Sequence, residues 1–229
     1  MSSIISEASQ AIQLWNEERN NPIAVINFFN QGTFFKIHRS DYLLWKNNSP
    51  EFIHAYMGLV QKPQETHFSL SLFSVDSVTD KEPVESNQGS FEANIKESAY
   101  ELSVASNPTM ELVDNSNNNP ANITPTEGLM RTVQWSLHKD KWMNEQDDLV
   151  QVFEIPFLDL SVLFGEEEAD YIILSPALKE QEEANVFKID LVLWGYNIDG
   201  VTWNKPMDLI RPCPPFKVIS NFQLLDYAL

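Results

Sequence analysis

The chain is expected to fold as an α+β protein of two similar halves. Each half would run helix, strand, short helix, strand, strand, and the two would pack about a pseudo-twofold into one mixed or antiparallel sheet core. Three observations point there. The stretch TFFKIHRSDYLLW (33–45) returns as VQVFEIPFLDLSVLF (150–164), so that Phe35, Ile37 and Asp41 line up with Phe153, Ile155 and Asp159. Downstream, Phe68, Leu70 and Leu72 line up with Phe187, Ile189 and Leu191, while upstream Trp15 lines up with Trp135. Both sets of downstream residues alternate, which is the period of a strand with one face on a core.

The elements follow in order. Ile4, Ile5, Ala8, Ala11, Ile12 and Trp15 recur at steps of three and four, which predicts a helix over 4–20 ended by Asn20, Asn21 and Pro22. IAVINFF (23–29) is β-branched and aromatic. With the turn formers Asn30, Gln31 and Gly32 it predicts a β-hairpin over 23–37. RSDYLLW (39–45) predicts a short helix with Asp41 in its first turn, where a carboxylate favours the helix dipole. Strands are expected at 51–60 and 67–75. Residues 77–125 are rich in turn formers and read as a polar excursion between the halves, apart from 91–105, which fits short strands or a helix. Leu129, Met130, Val133 and Leu137 are spaced along one face of a second helix over 126–144. A strand (149–155), a helix opened by Pro156, and two strands (169–178, 185–195) complete the second half. Residues 196–229 form a proline-bearing extension in which FKVISNFQLL adds a last strand. The repeat halves therefore span about 1–76 and 126–195 of a single domain over 1–229.

Composition narrows the function classes. The net charge is −18, with 7 basic and 15 acidic residues in 1–115 and 8 and 18 in 116–229. So even an acidic surface repels phosphate backbones and anionic membranes and suits a basic protein partner. A homo-oligomer is compatible with it. One cysteine, Cys213, allows no internal disulfide, and no segment offers 18 uncharged apolar residues. With no basic, apolar leader, these features lead to the expectation of a cytoplasmic protein.

Chemistry is sparse. Seven glycines form neither GxGxxG nor GxxxxGK[ST], and no GxSxG occurs. No cofactor is therefore expected. Asp41 and Asp159 recur at matching positions, and repeated carboxylates can form an acid–base pair. At the start of short helices they more simply accept from free amides. His54 and His67 lie on neighbouring strands, yet no HxH or HExxH spacing supports a metal. Asp41, His54, His67 and Asp159 are thus the candidates for an enzyme site between the halves. Trp194 and Trp203 flank the polar loop GYNIDGVT, which holds Tyr196, and these three are the candidates for a binding edge. The sequence favours a non-enzymatic protein-binding or assembly protein, of an inhibitor or immunity kind. An enzyme or a small-molecule-binding module is the alternative.

Overall fold

The computed structural model describes residues 4–86, 100–101, 123–181, 186–197, 206–208, 210–213 and 222–228. Helix α1 (Ile4–Glu18) buries Ile5, Ala8, Ala11, Ile12 and Trp15, the stripe set by its 3.6-residue period. Next comes a correction: 23–29 is not a strand but helix α2 (Pro22–Phe29). The Asn21 side chain accepts from Ala24 N, Pro22 sits in the first turn, and Val25 and Phe29 are buried four residues apart. Asn21–Pro22 ends α1 and also starts α2. The β-branched run is overridden by that start signal and by burial on one helical face.

Strand β1 (Phe35–His38) leads directly into α3 (Arg39–Lys46). A long hairpin follows, β2 (Phe52–Gln61) with β3 (Thr66–Val75). Tyr100–Glu101 (β4) pairs with β3, and the rest of 91–105 lies outside the described residues. Helix α4 (Pro125–Asn144) is capped by Thr124. Strand β5 (Val152–Pro156) leads into α5 (Phe157–Ser161), which continues as a π-helical turn over Val162–Glu166. The second long hairpin is β6 (Tyr171–Glu180) with β7 (Phe187–Tyr196). Strand β8 (Arg211–Cys213) and α6 (Gln223–Tyr227) come last. A final strand was expected across FKVISNFQLL, but the described part is helical. Leu224, Leu225 and Ala228 are buried together, and their spacing suits a helix face.

The strands do not form the one sheet core expected. They form two antiparallel sheets, β1-β6-β7 and β4-β3-β2-β5-β8. The largest core cluster joins them. Phe35, Ile37, Ile53, Ala55, Met57, Leu59, Phe68, Leu70 and Leu72 meet Phe153, Ile155, Ile172, Leu174, Leu178, Ile189, Leu191 and Leu193 in it. Helix α1 packs on β2, and α4 on β6. Alternate strand residues such as Tyr56, Phe73, Val192 and Trp194 join separate clusters on the outer faces. The order of layers is helix, sheet, sheet, helix. Two sheets form because each hairpin is apolar on both faces, so each needs one cover from a sheet and another from a helix.

The pairing of the short strands is crossed. Strand β1 pairs not with the hairpin that follows it but with β6, through Phe35↔Leu174 and Ile37↔Ile172. Strand β5 pairs with β2, through Phe153↔Ala55 and Ile155↔Ile53. The two ladders match rung for rung, at offsets of 118 for the short strands and 119 for β2 and β6. The hairpin ladders give a further correction. Phe68 lies opposite Leu59, and Ile189 opposite Leu178. The counterpart of Phe68 is therefore Ile189 and not Phe187, because the second hairpin loop is two residues longer. A slip of two keeps every side chain on its face and so leaves the sequence pattern unchanged.

One end of the core is closed by aromatic rings. Trp15 packs edge-on against Phe29 at 6.3 Å, and Phe29 against Trp135 at 4.9 Å between centroids. The Trp15 indole N–H also donates to Val150 O at 2.9 Å. Helix α2 thereby joins α1 to α4. Elsewhere, Tyr42 of α3 stacks between Phe157 and Phe164, at 5.5 and 5.1 Å.

Helix α1 lies very close to its sheet. A Cβ on Gly58 would meet Ala11 Cβ at 3.0 Å and the Ala11 backbone at 3.4 Å. Gly58→Val is expected to push α1 off β2 and cost about 1–3 kcal/mol in urea unfolding, the range for overpacked cores.

Candidate functional site

Of the sequence-chosen residues, His54 and His67 stand far apart on the β2–β3 hairpin. Asp41 accepts from His38 N at 3.0 Å, closing the first turn of α3, so its visible role is that of a helix-start residue. Asp159 is buried at the same place in α5, where the preceding Pro156 has no N–H to offer. His67 faces Glu65 at 3.0 Å and lies opposite Val60, six rungs along the ladder from His54. Six rungs are about 20 Å. Trp194 and Tyr196 are buried, the first against Gly128 of α4 and the second stacked on Tyr171 at 5.5 Å. Trp203 lies outside the described residues.

His54 has other company. It is buried on the outer face of β2, directly across from Glu154 of β5, which in turn lies across from Arg211 of β8. Glu154 Oε2 stands 3.5 Å from His54 Nε2, and Arg211 is 4.0 Å from Glu154 Oε1. Beyond β3 the chain turns back over this face. Asp76 Oδ1 accepts from Val78 N and Thr79 N at 2.9 and 2.7 Å. These bonds hold the Asp76 carboxyl below its usual range. The turn delivers Asp80 to 3.7 Å from His54 Nδ1. The Tyr56 hydroxyl is 3.5 Å from the same nitrogen, and burial and then Asp80 raise its pKa well above normal. Phe222 covers the imidazole at 4.7 Å. Among the described residues, His54, Asp80 and Glu154 are the one group whose donor atoms approach closely enough to share a metal ion.

A second charged cluster lies under α4. Arg131 is buried and donates to Asp190 at 3.0 Å, to Asp208 and to Glu127. Lys179 donates to Asp208 at 3.2 Å. Asp190 also accepts from Leu191 N at 2.9 Å. Lys179, Asp190 and Asp208 of this group line an open cavity of about 500 Å³ with Lys188, Ile210 and Arg211 at its sides. Burial, then the Asp208 charge, pushes Asp190 up to about 7 against the pull of Arg131. One guanidinium serving three carboxylates leaves the deepest of them undercompensated.

No family model, curated protein or solved structure matches the chain. The reading of function therefore rests on these residues alone. Among the described residues, no helix is long and apolar enough to cross a membrane.

Sequence reasoning missed Asp80, Glu154, Arg131 and Asp190. A signal existed for two of them. Glu154 in VFEIP and Asp190 in FKIDLVLW are lone carboxylates inside apolar strands, and buried carboxylates need partners. Nothing local named those partners.

The Arg131 cluster makes two expectations. Arg131→Ala strands Asp190 in the interior and should cost about 3–5 kcal/mol in denaturant unfolding. Asp190 takes up its proton at a higher pH when folded than when unfolded. Its contribution is fully present below about pH 4 and lost as pH rises through about 7. Asp190→Asn should remove that component, whose slope reaches about 1.4 kcal/mol per pH unit, when unfolding is compared with wild type across this window.

Proposed function

We propose that the chain is a non-enzymatic protein-binding module of two related halves, and that it docks its partner on the outward face of α4. One observation carries the docking surface. The apolar stripe of α4 faces outward: Leu129, Met130, Val133 and Leu137 are 37%, 57%, 46% and 71% exposed. The face turned to the sheet instead carries Gly128, Arg131, Trp135 and Trp142. Four exposed apolar side chains along two turns of a helix form the core of an interface, which a polar rim completes. The net charge of −18 selects a partner with an apolar centre ringed by lysine and arginine. It also opposes a second copy of the same chain on this face, since two such surfaces repel.

The relation between the halves is supported by the matched rungs of the crossed ladders and by the equal element order. It is supported as well by Trp15 and Trp135, which reach the same core cluster from α1 and α4. Crossed pairing would make the halves one folding unit. Urea unfolding followed by fluorescence and by circular dichroism is then expected to give one coincident transition. Two separated transitions would count against a single domain.

The docking face is tested with Val133→Asp plus Leu137→Asp, both on the solvent side of α4. Proteins captured by the wild-type chain are identified, and each is purified for titration. A specific partner should be basic, bind at least tenfold more weakly to the double variant, and weaken further with added salt. Equal binding by the variant, or light scattering that shows wild-type self-association through this face, overturns the proposal.

A further inference from the structure

The outer face of the five-stranded sheet holds a donor set with the make-up of a metal centre. We propose that His54, Asp80 and Glu154 bind one divalent transition-metal ion, of the zinc or manganese class, as a structural clasp.

The three side chains come from three separate pieces of chain. His54 is on β2, Glu154 is on β5, and Asp80 is on the turn that follows β3. One donor atom from each lies within 4.8 Å of the others. The 3.5 Å between His54 Nε2 and Glu154 Oε2 is close to the spacing of neighbouring ligands on an ion with bonds of about 2.0–2.2 Å. It is also at the outer limit of a hydrogen bond, and the 3.7 Å from Nδ1 to Asp80 is beyond it. Among the described residues, the buried His54 Nε2 makes no hydrogen bond. The Tyr56 hydroxyl sits beside Nδ1, the place from which a neighbouring group orients a ligating imidazole and leaves Nε2 for the ion.

Charge points the same way. His54 and Glu154 are almost wholly buried, and Asp80 is about one-fifth exposed. Two carboxylates so placed beside an imidazole attract a cation. Arg211, mostly exposed, stands 4.0 Å from Glu154 Oε1. A divalent ion would balance both carboxylates. One imidazole and two carboxylates suit zinc or manganese. Calcium takes six to eight oxygen ligands, and magnesium keeps most of its waters. Asp80 supplies the entry path, because it is the ligand on the exposed side.

Burial assigns the role. Phe222 covers the imidazole, so a substrate has no approach from that side. An ion here would instead tie the turn after β3 to the junction of β2 and β5. The matching rung of the other sheet pairs Lys36 with Ile173, and Lys36 lies over the Tyr171 ring at 3.8 Å. The clasp therefore belongs to one sheet only.

The test uses the full chain, stripped with chelator and titrated separately with Zn²⁺, Mn²⁺, Mg²⁺ and Ca²⁺ in a calorimeter, with melting temperature followed in parallel. The expected result is one Zn²⁺ or Mn²⁺ per chain, a higher melting temperature, and at least tenfold weaker binding in Glu154→Gln and His54→Gln. Glu145→Gln removes the same single charge from an exposed site and should bind as wild type does. Should the buried variants fail to fold, Asp80→Asn at the exposed edge decides the matter: it should fold and bind at least tenfold more weakly. Cobalt adds a spectroscopic check, since ligand-field bands should appear with the wild type and change with Asp80→Asn. The proposal is overturned if no one-to-one uptake occurs. It is equally overturned if Glu145→Gln weakens binding as much as Glu154→Gln, which would mark the ion as a counterion of the acidic surface.

Discussion

The crossed pairing of β1 with β6 and β5 with β2 is the constraint on which the structure depends. Each long hairpin receives its next strand from the far side of the chain. Neither sheet is complete until residues about a hundred or more positions apart have met. The same crossing fixes where α3 and α5 lie, since each follows its strand without a loop. It thereby brings Tyr42 between Phe157 and Phe164. Non-local pairing of this kind carries a loop-closure cost before contacts repay it, so slow folding is the physical consequence.

Once two sheets face each other, their outer faces set a second problem. Both carry charge that the interior must balance, and they do so differently. Under α4, Asp190 meets Arg131, and a chain of ion pairs runs outward through Asp208 to Lys179. Across β2, β5 and β8 the row is His54, Glu154, Arg211, joined by Asp80 from above. The first cluster is rich in hydrogen bonds. In the second, His54 stands 3.5 Å from Glu154 and 3.7 Å from Asp80. The burial of Arg131 has a further effect. It gives α4 a sheet-facing side that is partly polar and frees its most apolar stripe for solvent.

Much of the fold was legible because strands and helices write their periods locally. The α1 stripe, the four long strands, the short helices after β1 and β5, and most of the order of elements follow from spacing and from cap residues. Helix α2 was misread because Val, Ile and Phe favour strands on average, while Asn21 and Pro22 determine what this segment does. The two-residue slip in the second hairpin was invisible because a period of two is blind to it. The candidate histidine was in view, but its neighbours were not. His54 and Glu154 are a hundred residues apart, and only the β2–β5 register makes them adjacent.

By itself the sequence determined most of the element types, the net negative charge and the faces of the long strands, since each depends on composition or on side chains a few residues apart. The tertiary structure alone decided that there are two sheets and not one, that α4 turns its leucines outward, and that a histidine, an aspartate and a glutamate share one site. Each of those outcomes depends on which distant strand or helix covers a face, and hydrophobic spacing records that a face is to be covered without recording by what.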